Sequence, residues 1–381
     1  MLRSFVVLVV LLLTGCGGGS SESLTSSEPR AIDKIQNETS ILVNWSRDVG
    51  TLFEAKRGIR LPPVLANGFI YTIDQNGKVW SIDARTGAIT WQENLDKSIS
   101  AGLGAGDGLL VTVTERGGVI AIDASNGETR WQTGIESEVL APPAIAGGVV
   151  IVRAMGGKTI GLAAEDGSQL WQFSRKVPAL SLRGASAPVI RDGIAYIGSA
   201  NGKIYASNIK NGDVQFEVPV SNPEGNNVID RIIDIDARPV VVGSVLYVAT
   251  YRGNVMALAL GSRRILWSRR ISVRQDFSAD ADNLYLVDEE DRLLSLDRLS
   301  GSERWLQEEY LRRRLSMPVT SGGHLVVADF EGYVHVIDID DGHTIARKKT
   351  SAGSVSLAPI VSNNQVLIAG DNGKLISLSI E

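Results

Sequence analysis

Residues 141–173, APPAIAGGVVIVRAMGGKTIGLAAEDGSQLWQF, restate residues 61–94, LPPVLANGFIYTIDQNGKVWSIDARTGAITWQEN, in different letters. Self-similarity of this kind decides architecture ahead of any single residue. Inside each copy, short apolar runs such as GFIYTID, KVWSID and AITWQEN are bounded by N-G, T-G or D-G pairs. These are the marks of strands joined by tight hairpins. Each copy therefore reads as a four-stranded meander.

Working outward, a turn glycine marks the copies at Gly77, Gly118, Gly157, Gly202, Gly253, Gly332 and Gly373, with Asp291 standing in for it in the sixth. The eight landmarks lie 38 to 51 residues apart, too long a period for a short-runged β-helix. A second landmark is a glycine four residues before tryptophan: Gly87 and Trp91, Gly127 and Trp131, Gly167 and Trp171, Gly301 and Trp305. Gly212 precedes Phe216 in the same register. A lone meander leaves two edges and two faces uncovered, and eight of them cover both best by packing radially. The expected fold is all-β: an eight-bladed β-propeller of four-stranded antiparallel blades. The last copy stops at GKLISLSIE without its tryptophan strand, whereas ILVNWSRDVG at 41–50 is a tryptophan strand with no copy before it. The N-terminal strand should close the last blade, making one domain of residues 39–381, with the tryptophans packed between blades.

The N-terminus has a different character. Arg3 precedes the apolar run Phe5–Leu13, which is far short of the roughly 20 residues needed to span a bilayer. Charged, apolar and small-residue regions in that order describe an export signal over residues 1–15. Leu13-Thr14-Gly15-Cys16 resembles the bacterial lipobox, which implies lipidation of Cys16, the only cysteine in the chain. Residues 16–38, rich in glycine and serine at their start, read as a flexible tether. With Cys16 acylated no disulfide is available, so stability falls to the core, and 44% hydrophobic residues suffice for one. The net charge of −5 offers no basic field for nucleic acid.

The runs SIDARTGAITW, AIDASNGETRW and SLDRLSGSERW resemble the tryptophan-docking repeat of PQQ-dependent alcohol dehydrogenases. With the lipobox, and with PALSLRGASAP at 178–188, DRIIDIDARPVV at 230–241 and NLYLVDEEDRLLSLD at 283–297, the whole mature chain resembles the BamB family of outer-membrane β-barrel assembly lipoproteins. That resemblance implies a non-catalytic scaffold with no cofactor. It would sit on the outer membrane facing the periplasm, consistent with Gly17 rather than Asp after the cysteine, and touch the membrane through its lipid alone. It would bind the POTRA domains of BamA beside the other lipoproteins of the complex and assist unfolded outer-membrane proteins. Two alternatives stay open. A PQQ-dependent dehydrogenase shares the repeat, although a single cysteine cannot supply the vicinal pair of those enzymes. A propeller binding cell wall or extended peptide along blade edges is compatible with the scaffold.

The spacing adds an independent clue. The two longest intervals flank Gly202, so extra chain sits in two consecutive connections, containing LSLRG and DIDARP. Loops on a rigid scaffold carry binding. Leu180 and Leu182 beside Arg183 form an apolar anchor with a charged neighbour, and Asp234 and Asp236 supply acid in the other connection. The family resemblance implies that these five residues contact BamA. Leu180 and Leu182 also read as inward strand residues, and the aspartates as capping groups or calcium ligands, though no glycine follows at EF-hand spacing.

Catalytic signals fail. His324, His335 and His343 form no metal-ligand spacing and read as surface or turn residues. Gly156-Gly157-Lys158-Thr159 lacks the first P-loop glycine, the position being Val152. Arg312, Arg313 and Arg314 read as a solvated basic loop.

Overall fold

The structure, a computed structural model, describes residues 28–178, 186–222 and 232–381. Eight four-stranded antiparallel sheets follow one another along the chain. Blade 1 is Val64–Ala66, Phe69–Ile73, Lys78–Asp83 and Ile89–Asn94, and blades 2 to 7 repeat that order. Blade 8 takes Ile360–Ser362, Gln365–Ala369 and Lys374–Ile380 from the C-terminus and its outer strand, Ile41–Asp48, from the N-terminus, paired from Ile41 opposite Ile380 to Asp48 opposite Lys374. The expected closure is thus present. Among the described residues the one helical element is the short 3-10 turn Met155–Gly157.

Third strands such as Lys78–Asp83 are buried through their centres on both faces, because each blade is sandwiched between neighbours. Strand direction alternates within a blade, so the linkers between blades and the turns between second and third strands gather on one face, here called the linker face. The turns there are built by short polar side chains at the second strand's end. Asp74, Asp288 and Asp329 each accept two backbone amides of their own turn through Oδ1, at 2.9–3.0 Å. In the second and fifth copies the residue at positive φ is one before the landmark read from the sequence, Gly117 before Gly118 and Arg252 before Gly253.

Tryptophans lock the seams. Trp45, Trp91, Trp131, Trp171, Trp267 and Trp305 each donate Nε1–H to a backbone carbonyl in the next blade, at 2.8–3.3 Å. Each lies over a glycine of that blade's outer hairpin. A Cβ at Gly87, Gly167 or Gly301 would fall 2.5–2.6 Å from the ring, which forbids any side chain. Two seams differ, each for a visible reason. Between blades 4 and 5 the ring is Phe216, and the facing glycine is replaced by Arg263, held at φ 58 with its guanidinium over Phe216 at 5.3 Å. Between blades 7 and 8 the slot holds Ala346, because blade 8 has no hairpin between its last two strands for a tryptophan to rest on.

The N-terminal segment fills that seam, which corrects the tether boundary expected at residue 38. From Arg30 onward the chain is bonded to the blades: Arg30 N to Leu311 O at 3.0 Å, Glu38 N to Ile345 O at 2.8 Å, and Ser40 exchanging hydrogen bonds with Glu381. Two arginines hold this strap from below, each donating to a strap carbonyl, Arg313 to Arg30 at 3.0 Å and Arg347 to Asp33. Behind them lies a buried polar network. Arg313 pairs with Asp329 at 2.8 Å, Asp329 meets His335 Nε2 at 3.1 Å, and Arg347 Nε donates to His335 Nδ1 at 2.9 Å. Accepting at Nδ1 fixes the tautomer, so Nε2–H donates to Asp329. Two expectations are thereby overturned. His335 is 0% exposed, occupying a slot that Ile120, Ile160 and Ile376 fill elsewhere, and Arg313 is 3% exposed, a buried ion-pair residue rather than part of a solvated run. Arg312 and Arg314 remain exposed.

Candidate partner-binding face

The linker from blade 3 to blade 4 leaves Ser174 and returns at Val189; that from blade 4 to blade 5 leaves Pro219 and returns at Val240. By strand direction both lie on the linker face, side by side. Leu180, Leu182 and Arg183 fall outside the described residues, as does Cys16. Asp234 and Asp236 are described.

The stretch Ile232-Ile233-Asp234-Ile235-Asp236 is pinned by its isoleucines. A Cβ on Gly198 would lie 2.4 Å from Ile235, and one on Gly202 would lie 2.5 Å from Ile233, so blade 4 leaves two glycine notches for them. Backbone bonds complete the seat, Ile235 N to Ser199 O at 3.2 Å and Tyr251 N to Asp234 O at 2.9 Å, bridging blades 4 and 5. Asp234 is 1% exposed and Asp236 half-buried. Burial pushes the Asp236 carboxyl up to about 6, against the opposing pull of Arg153, Arg60 and Arg274, with Asp276 adding to the rise. Arg238 clasps Asp276 with its backbone amide at 2.7 Å and Nε at 2.5 Å, tying this linker to the next. The face therefore presents the fixed carboxylate of Asp236 among arginines, with Asp234 enclosed beneath it, an arrangement suited to recognising a complementary protein surface.

Reading the sequence alone missed Arg153, Arg60 and Arg274. Arg153 had a detectable signal: it ends a second strand where the other copies carry Ile73, Val113, Gly198, Ala249, Val287, Ala328 and Ala369. On the opposite face, Asp338, Asp341 and His343 of one exposed hairpin bring ligand atoms within 4.8 Å of one another, with His343 held by Asp341 at 2.6 Å.

Eight blades, an N-terminal closing strand and tryptophans seated on hairpin glycines define a PQQ-type β-propeller, with its extra length in two adjacent linkers. The same fold recurs in the quinohemoprotein alcohol dehydrogenase of Comamonas testosteroni, at a TM-score of 0.69 and 13% identity over 89% of this chain and 76% of that one. Nearer relatives are more specific. The family model for "Outer membrane protein assembly factor BamB" matches residues 75–307. The proteins of that name from Alkalilimnicola ehrlichii and Escherichia coli K12 are 45% and 34% identical, with 99% and 98% of this chain and 97% of each relative covered. The crystal structure of BamB from Moraxella catarrhalis superposes with a TM-score of 0.81 and 27% identity, over 89% of this chain and all of that one. The chain belongs to the BamB family.

Proposed function

We propose that this protein is a non-catalytic scaffold of the outer-membrane β-barrel assembly machinery, lipidated at Cys16 after removal of residues 1–15, and facing the periplasm. Its partner is BamA, whose POTRA domains dock on the linker face through Leu180, Leu182 and Arg183 of one linker and Asp236 of the next, with Asp234 enclosed beneath Asp236 as part of its seat. The other lipoproteins of the complex and unfolded outer-membrane proteins complete its surroundings. The observation that carries this reading is the seating of the DIDA stretch. A linker with alternate isoleucines locked into glycine notches holds its carboxylates in place before any partner arrives, and preorganisation lowers the entropy cost of association. The relatives' name, outer membrane protein assembly factor, supports the machinery. The test is affinity purification from detergent-solubilised membranes with Leu180→Ala and Asp236→Ala variants. Both should lose BamA while keeping the wild-type unfolding profile; recovery of BamA at wild-type yield from both would remove the interface assignment.

A further inference from the structure

The two linkers are not merely neighbours. Arg153 Nη1 donates to the carbonyl of Ser186, 3.1 Å away, where the first linker returns to the described chain. Ser186, itself 1% exposed, donates Oγ–H to the carbonyl of Ala237 in the second linker at 3.0 Å. The Arg153 charge is felt by both Asp234 and Asp236 of that second linker. One side chain from blade 3 thus touches the end of one linker and faces the acids of the other. The only arginine in a slot otherwise filled by apolar residues and glycine gives up core packing, and the geometry shows what it does instead.

We propose that Arg153 is a positioning residue that joins the two linkers into a single recognition surface. This rests on the reading of the linker face as the BamA-docking surface. Arg153 does not meet the partner. It ties the returning end of the first linker, at Ser186, to the second linker at Ala237, next to Asp234 and Asp236, so that one partner surface engages both linkers at once. The fork of a guanidinium suits this task, since one nitrogen serves a carbonyl while the remaining charge faces the carboxylates. A lysine keeps the charge and loses the fork.

The experiment uses the full-length lipoprotein in detergent and the purified periplasmic domain of BamA as probe. Arg153→Met and Arg153→Lys are compared with Leu180→Ala and Asp236→Asn for affinity, and with wild type for amide hydrogen exchange over 187–189 and 233–237. Arg153→Met should weaken binding about tenfold and speed exchange in both linkers, while Arg153→Lys falls between it and wild type. Combined with Asp236→Asn it should lose little more than either change alone, because the two act through one arrangement; a purely structural role gives additive losses. If Leu180→Ala and Asp236→Asn weaken binding but Arg153→Met leaves both affinity and exchange unchanged, the positioning role is overturned and the docking surface stands. If none of the substitutions alters affinity, the docking surface itself is wrong and the role of Arg153 in recognition falls with it.

Discussion

Gly167→Ala puts the seam chemistry to a quantitative test. At φ 74 an alanine pays for the left-handed backbone, about 1–2 kcal/mol. Its Cβ would also fall 2.5 Å from Cε3 of Trp131, so the ring must lift and strain the hydrogen bond from its Nε1 to Ala164 O, now 2.8 Å. Overpacking of this kind costs about 1–3 kcal/mol, giving a total of about 2–5 kcal/mol. Gly68→Ala is the control, because its φ of 81 carries the same backbone cost while its Cβ meets nothing within 4 Å. Urea unfolding followed by tryptophan fluorescence and circular dichroism should therefore rank Gly167→Ala well below Gly68→Ala. Made in a Trp131→Phe background, copying the natural Phe216 seam, Gly167→Ala should cost only its backbone share. Equal losses at the two glycines, or a Gly167→Ala cost that ignores the Trp131→Phe change, would falsify the claim that the ring dictates the glycine.

Two further outcomes follow from buried charge. Asp236 holds its proton to about pH 6 in the folded protein but near 3.8 when unfolded, so the folded state binds more protons between those values. Stability relative to Asp236→Asn should accordingly rise as pH falls from 7 to 4, by at most about 3 kcal/mol at 1.36 kcal/mol per pH unit and less with residual solvent access; a flat difference across that window refutes the shift. Arg347→Ala removes the partner of buried His335 and of Glu309 together with the bond to the carbonyl of Asp33, while the backbone bonds between residue 347 and Asn37 persist. It should cost about 3–5 kcal/mol and raise hydrogen exchange over residues 30–40; an unchanged strap would show that the backbone bonds alone hold it.

Periodicity made the propeller legible, because a repeat reports the same packing problem eight times and one copy corrects another. Blade count, meander order, the N-terminal closure and the burial of the tryptophans all follow from spacing and turn residues. Exceptions to the repeat were less legible, although their letters were in view. Arg263 in a glycine slot, Ala346 in a tryptophan slot and His335 in an isoleucine slot make sense only once the facing blade is known, since each answers a residue far away in the chain. The same holds for Arg313, whose sequence neighbours Arg312 and Arg314 point to solvent while it meets Asp329 inside. Asp234 and Asp236 were visible as acids, but alternation alone does not say that Ile233 and Ile235, which alternate with them, seat the segment, nor that Arg153 stands opposite.

The strap adds a constraint that bears on how such a platform is held. Arg30 rests on the linker between blades 6 and 7, so the N-terminal segment reaches the body on the linker face, the face that carries Asp236. Under the proposed anchoring at Cys16, the chain from there to residue 28 reaches no further than about 40 Å even when fully extended. A rigid propeller on so short a lead, rooted on one face, keeps that face toward the surface it hangs from and turns the hairpin face away. Anchor and docking surface then work in the same direction. On that proposed anchoring the lipid would raise the local concentration of the linker face around a partner in the same membrane, and the Arg313 and Arg347 clamps would keep the root of the lead from peeling off the rim and lengthening it.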